Sequence, residues 1–412
     1  FGWGRVRPRV HLTVLWLAVA GSVVSAYFIL AANAFMQHPV GVEYVDGRAQ
    51  MVDFWAVMTN PTLLVHFPHT IFGALAVAGS MLLGIGWYHL WKRRKEGIDT
   101  VDEHGYVVVG STGSKARDDV DYKGWRSSFR WGGWIAIVAF LGTAFTGHTQ
   151  AQMMIQQQPL KMAAAEAACH DGTGFSLLSV ASRDGEGATT CDDVVGVFEI
   201  PGLLSFLAHN DFTTPVEGVN SLIPQYEEAF GTHLPDDPRY GERAGSEIEY
   251  LPIMEVTYWG FRLMITFGGI AAVAAALGLW IGRKGTVPHD KTLMNMAWLS
   301  ILAPFAANSA GWIFTEMGRQ PFTVAPNPDP TRVDQVWQYT AAAVSPGVTG
   351  QEIVFSLAAL TLIYALLLVV EVVLLVRYTK GGHPAGMPEL LADEDTDDDD
   401  HKPSSDVLSF AY

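Results

Sequence analysis

The stretch Gly311-Trp312-Ile313-Phe314-Thr315-Glu316-Met317-Gly318-Arg319-Gln320-Pro321 decides how this chain is read. It ends a long apolar run with a carboxylate and a guanidinium. Ionisable groups at the edge of a hydrocarbon layer are costly and mark functional positions, paired with a ligand, a cofactor or each other. Glu316 reads as a buried carboxylate, and three roles fit it: ligand to a metal, relay of protons, or i,i+3 partner of Arg319. Trp312, one turn earlier, suits either packing on a planar cofactor or anchoring at a membrane interface.

Working outward, six runs reach the roughly 20 residues that cross a bilayer. They lie near 11–35, 62–91, 131–147, 257–281, 292–315 and 353–376. Backbone polar groups in lipid must be satisfied within their own segment, so these runs are helices. They are apolar all round instead of striped, which excludes a soluble helical protein. The expected fold is an all-α polytopic membrane bundle of six transmembrane helices with a long external loop.

Charge gives the orientation. Arg5, Arg7 and Arg9 precede the first run, Lys92-Arg93-Arg94-Lys95 follows the second, and Arg283, Lys284, Arg377 and Lys380 follow the fourth and sixth. With alternating helices all of these share one side, which the positive-inside rule makes cytoplasmic. Between 151 and 252 stand 16 acidic and 4 basic residues, and from 381 onward 9 and 1. Those two stretches hold −20 of the formal −16, so the remainder is net +4. The organisation expected is three helices in 1–150, an external loop at 151–252, three helices in 253–380, and a solvated, disordered acidic tail at 381–412 on the cytoplasmic side of a bacterial cell membrane. Residues 95–125 read as a polar cytoplasmic connector. Cys169 and Cys191, the two cysteines, both fall in the external loop, where an oxidising compartment favours a disulfide. Two unrelated free thiols are the alternative.

Histidine in a membrane helix is costly unless used. His69 and Met264 each lie at the same point within their runs, about 10 Å below the outer boundary. A His and a Met at matching depth supply the two axial positions of a low-spin haem. The plainer readings are a hydrogen-bonded His and a lipid-facing Met. Arg262 needs an anion, which haem propionates provide, or else it snorkels to the surface. Residues two apart point about 200° from each other around a helix, so Arg262 reaches sideways to any haem that Met264 holds. In the loop, Lys161 and Glu166 flank an apolar helical stretch. A carboxylate there suits accepting protons from a quinol head group, and a solvated surface pair is the alternative. Glu371 has no evident partner.

Taken together, Ala32-Asn33 with Met36-Gln37-His38-Pro39-Val40-Gly41, Phe67-Pro68-His69-Thr70, Lys161 through Glu166, Phe261-Arg262-Leu263-Met264 and Gly311 through Pro321 resemble the large haem-bearing subunit of cytochrome bd quinol oxidases. The resemblance covers nearly the whole chain except the acidic tail. It implies that His69 and Met264 ligate a low-spin haem b and that Arg262 neutralises its propionates. Lys161 and Glu166 would belong to the quinol-oxidising loop. Glu316 would be an axial carboxylate in a high-spin pair of haem b and haem d, with Trp312 between haems and Asn33 near the oxygen-reducing site. Arg319 and Gln320 belong to the cofactor-binding motif. The implied partners are membrane quinol, oxygen and a second membrane subunit; nucleic acid is not among them. The family's subunit begins with further helices carrying another haem-ligating His, so the sequence is expected to be a fragment. Phe322 stands where the family usually has Trp, and His66 is a second imidazole beside His69. Two rival readings are another quinol-linked b-type cytochrome and a transporter or channel with Glu316, Arg262 and Glu371 along a polar path.

Overall fold

Hydropathy alone locates the part of each helix that crosses lipid; the helices run further. The computed structural model describes residues 6–381 except 47, 113–114, 182–190, 192–193, 330–335, 344 and 346. The expected acidic tail beyond Gly381 lies outside the described residues. In chain order the elements are α1 (Pro8–Gln37), β1 (Val42–Val45), β2 (Arg48–Met51), α2 (Phe54–Met58), α3 (Pro61–Lys95), β3 (Thr100–Val101), β4 (Val107–Val108), α4 (Lys115–Gln157) and α5 (Pro159–Glu166). There follow β5 (Phe175–Ala181), β6 (Val194–Ile200), α6 (Leu203–His209), α7 (Val219–Phe230), α8 (Met254–Ile281), α9 (Lys291–Met317), β7 (Phe322–Val324), β8 (Gln338–Tyr339) and α10 (Gly350–Gly381). Among the described residues, six helices are long and apolar enough to cross a membrane: α1, α3, α4, α8, α9 and α10. The chain is a helical membrane protein, as its apolar runs require.

Lipid tails are as apolar as leucine, so close packing, not exclusion from water, holds such helices together. The tightest seam joins α3 to α4. A Cβ at Gly79 would lie 2.6 Å from the Ala136 nitrogen, and one at Gly86 2.6 Å from the Phe129 nitrogen. Only glycine lets the two backbones come this near. Beside the seam, Trp87 meets Phe129 edge-on at 5.9 Å, and Gly278 of α8 makes room for the indole. α9 completes the group, with Asn308 against Gly73 and Ile301 against Gly84 of α3. α10 is different: none of its most apolar window is buried within the chain.

Helix ends obey local rules. Asn60 accepts from the Thr62 amide ahead of Pro61, and Asp290 accepts from the Thr292 and Leu293 amides. The last turn of α3 holds Lys92, Arg93, Arg94 and Lys95, which suits the negative end of the helix dipole. Arg93 forks onto Asp99 with two bonds of 2.8 Å and ties down the connector. That connector is shorter than its polarity suggests, because α4 already begins at Lys115.

The connection between α4 and α8 packs as a unit outside the bundle. α4 runs on to Gln157 before it starts, and the wholly buried α5 wedges it against the bundle. Its core gathers Leu160, Leu222, Tyr226, Tyr250, Phe322 and Tyr339. Cys169 and Cys191 form a disulfide within that core, as their placement in sequence predicts. The antiparallel β5–β6 hairpin was not anticipated. It pairs Leu178 with Val197 and Val180 with Val195, and Phe198 takes a positive φ of 55° in β6.

Candidate functional site

The C-terminal end of α1, the buried α5 and the last turn of α9 converge on one polar cluster. Asn33 and Gln37 stand one helical turn apart on α1, so they share a face. Asn33 Nδ2 donates to Glu316 Oε1 at 3.0 Å, and Gln37 Nε2 donates to Asn33 Oδ1 at 2.8 Å. Lys161 Nζ donates to Gln37 Oε1 at 3.1 Å and to the Thr315 carbonyl at 3.0 Å. Gln158 Nε2 donates to the Gln37 carbonyl at 2.8 Å, which pins α5 against α1. Arg319 Nη2 reaches Glu316 Oε2 at 2.6 Å. A single hydrogen-bonded chain therefore runs from Arg319 through Glu316, Asn33 and Gln37 to Lys161.

The i,i+3 pairing of Glu316 and Arg319 is thus present, but Glu316 is not buried as the sequence suggested. Its side chain is 41% exposed, while that of Arg319 is 5% exposed. Both carboxylate oxygens are held by donors and one side of the group stays open, which leaves lone pairs for a further ligand. Burial drives the Lys161 ammonium down to about 7, helped by the nearby Arg319 and opposed by Glu316. Arg319 Nε and Nη1 are buried with no hydrogen-bond partner, and Gln320 continues the turn through its amide to the Met317 carbonyl. Trp312 is 46% exposed on α9.

Lys161 and Glu166 belong together in sequence but not in space. Five residues turn a helix by about 140° past a full revolution, so the two side chains leave α5 in different directions. Glu166 Oε2 accepts from Arg262 Nη2 at 2.7 Å, and Arg262 Nη2 also donates to the Ser176 carbonyl at 3.0 Å. The rings of Phe175 and Tyr258 flank the guanidinium with centroids at 4.6 and 5.1 Å. The anion that Arg262 requires is supplied by the protein, although its Nε remains buried without a partner. Burial raises the Glu166 carboxyl above its usual range, with Arg262 opposing that shift.

His69 and Met264 stand eight and ten residues from the starts of α3 and α8, which is about 12 and 15 Å along each axis. His69 Nδ1 lies 3.0 Å from Thr146 Oγ1. That hydroxyl donates its own hydrogen to the Gly142 carbonyl at 2.7 Å, so it accepts from His69. The imidazole proton is therefore on Nδ1, and Nε2 keeps its lone pair for a metal. Met264 rests against Gly311 of α9, where a Cβ would stand 2.9 Å from its Sδ. His69 thus leans on α4 and Met264 on α9. His66, one turn before His69, lines a cavity with Gln37, Thr62, Gln150 and Gln158. An imidazole with a free Nε2, a thioether at similar depth, and guanidinium nitrogens without partners form a donor set that fits an iron porphyrin with its carboxylates.

Sequence reasoning missed Gln37 as a link, Gln158 and Thr146. The one available signal was the i,i+4 spacing of Asn33 and Gln37 at the end of an apolar run.

Comparison with known proteins identifies the family. A family model described as cytochrome bd terminal oxidase subunit I matches residues 1–383. The cytochrome bd ubiquinol oxidase subunit 1 of Bacillus subtilis (strain 168) is 33% identical over 93% of this chain and 70% of its own length. The cytochrome bd-II ubiquinol oxidase subunit 1 of Escherichia coli (strain K12) is 26% identical over 94% of this chain and 76% of its own. The bd oxidase structure from Geobacillus thermodenitrificans shares the fold, with a TM-score of 0.63 over 92% of this chain and 72% of that one, at 24% identity. Fold, motif and family model coincide, and the chain belongs to the cytochrome bd terminal oxidase subunit I family.

Proposed function

We propose that this chain is the haem-bearing membrane subunit of a quinol:oxygen oxidoreductase that works with a second membrane subunit. The observation that carries the proposal is the cluster joining Asn33, Gln37, Lys161, Glu316 and Arg319. Three parts of the chain are brought to one hydrogen-bonded site within a family match that spans residues 1–383. His69 and Met264 would hold a low-spin haem b, and Glu316 a member of a high-spin pair of haem b and haem d. Bound there, the haems supply one-electron transfer and the reduction of oxygen to water.

The residues have separable tasks. Arg262 holds Glu166 in place, and the raised Glu166 carboxyl is suited to taking a proton from a quinol hydroxyl. Thr146 fixes the tautomer and the ring plane of His69. Asn33 and Arg319 orient the Glu316 carboxylate, and Gln37 couples it to Lys161. Arg319 and Lys161 place their cationic head groups near Glu316. With the α5–α7 unit on the outer face and the basic helix ends in the cytoplasm, protons from quinol leave outside, and those consumed with oxygen come from within. The sidedness by itself separates charge.

Glu316→Gln tests this reading in the purified complex. Quinol-driven oxygen uptake should fall at least tenfold while the low-spin haem spectrum is retained. Turnover at the parent rate would contradict it.

A further inference from the structure

The β5–β6 hairpin is placed where a soluble loop has no reason to be. β5 runs along α8: Ser179 N donates to the Tyr258 hydroxyl at 2.8 Å, and the Ser176 carbonyl accepts from Arg262 at 3.0 Å. Tyr258 and Arg262 lie four and eight residues into α8, about 6 and 12 Å along its axis. The base of the hairpin, at Phe175, Ser176 and Ile200, is therefore level with the second and third turns of a membrane-crossing helix. The strand climbs from there toward the start of α8.

Its surface matches that depth. Of the fourteen residues in β5 and β6, Glu199 alone is charged. Leu177 and Leu178, on opposite faces of β5, are exposed with Phe198 and Ile200 on the half nearest the base, Phe198 at 78%, and Val180 and Val195 are exposed nearer the tip. An apolar two-stranded hairpin standing in water is an aggregation hazard. Tyr258 and Arg262 form one stripe of α8, and the neighbouring stripe carries the exposed Trp259 and Leu263. The apolar surface at the base of the hairpin thus adjoins the exposed apolar stripe of α8. The two α8 side chains also satisfy backbone groups on the free edge of β5, as a strand near hydrocarbon requires. Glu199 keeps the base at headgroup level.

We propose that the lower half of the β5–β6 hairpin is seated in the phospholipid leaflet at the N-terminal end of α8, as an interfacial anchor that holds the α4–α8 unit against the membrane. The bound partner is a lipid surface. This rests on α8 crossing the membrane and not on the oxidase reading, so either can fail alone.

The test uses the intact complex in vesicles of palmitoyl-oleoyl phosphatidylcholine and phosphatidylglycerol. A benzophenone amino acid placed at Phe198 should give phospholipid adducts, detected by mass spectrometry of the peptide bearing it. Adducts to a polypeptide instead, whether another subunit or a second copy, would overturn the proposal. Bimane attached to Phe198→Cys and, separately, to Val195→Cys gives an independent measurement. Doxyl-labelled lipid should quench more strongly at 198 than at 195, and aqueous iodide in the reverse order. Equal or stronger iodide quenching at 198 would place the hairpin in water and end the inference.

Discussion

Arg262→Gln removes one partner of a buried ion pair beside the membrane. Arg262 and Glu166 meet at 2.7 Å with side chains 12% and 5% exposed. With charge centres about 4 Å apart and an effective dielectric of about 20, their attraction is about 4 kcal/mol. Removing the guanidinium leaves the burial of Glu166 unopposed and should raise its pKa further. A carboxylate that takes quinol protons works only when ionised, so activity is lost as pH falls through its pKa. The acid limb of kcat/KM for quinol-driven oxygen uptake should therefore move to higher pH in the variant. Arg262→Lys, which keeps the charge, should move it much less. Stability follows the same group: a carboxyl raised above its ordinary value contributes stability below that value and loses it as pH rises through the folded-state pKa. The variant should thus lose thermal stability relative to the parent toward alkaline pH. Superimposable pH–rate profiles for parent and Arg262→Gln would refute the reasoning. A changed haem potential with an unchanged profile would assign Arg262 to haem carboxylates instead.

Thr146→Val removes the acceptor that fixes the His69 tautomer, at a cost of about 1 kcal/mol for one hydrogen bond. Redox titration should show the low-spin haem retained with a shifted midpoint potential; an identical potential would remove Thr146 from the site. Thiol reagents should reach Cys169 and Cys191 only after reduction, and breaking that bridge, whose ends are 22 positions apart, should cost about 3 kcal/mol of the unit's stability. Ready labelling of both without reductant would contradict the bridge.

The six spans were legible because nothing soluble tolerates helices apolar on every side. The true helix lengths were not, since the polar turns of α4 from Lys115 and on to Gln157 are helix outside the apolar run. The β5–β6 hairpin escaped notice because an apolar seven-residue segment between glycines reads equally as strand or as part of a helix. Within the site, Glu316 and Arg319 were visible as misplaced charges. Gln37 carries no charge and reads as an ordinary interfacial amide, although it links Asn33 to Lys161. Lys161 and Glu166 stood as one pair in sequence because linear proximity hides the direction in which a helix sends each side chain. Burial of Glu316 was overestimated for a related reason: a position at the end of an apolar run does not say which side of the helix is covered.

The reduced-minus-oxidised absorption spectrum of the purified complex, recorded for the parent and for Met264→Ala, tests the central claim most directly. If the imidazole of His69 and the thioether of Met264 grip one iron, the sharp low-spin b-type band is present in the parent, and in the variant it is replaced by a high-spin spectrum with the haem still bound. An unchanged low-spin band in Met264→Ala, or a parent complex without haem, would contradict the account.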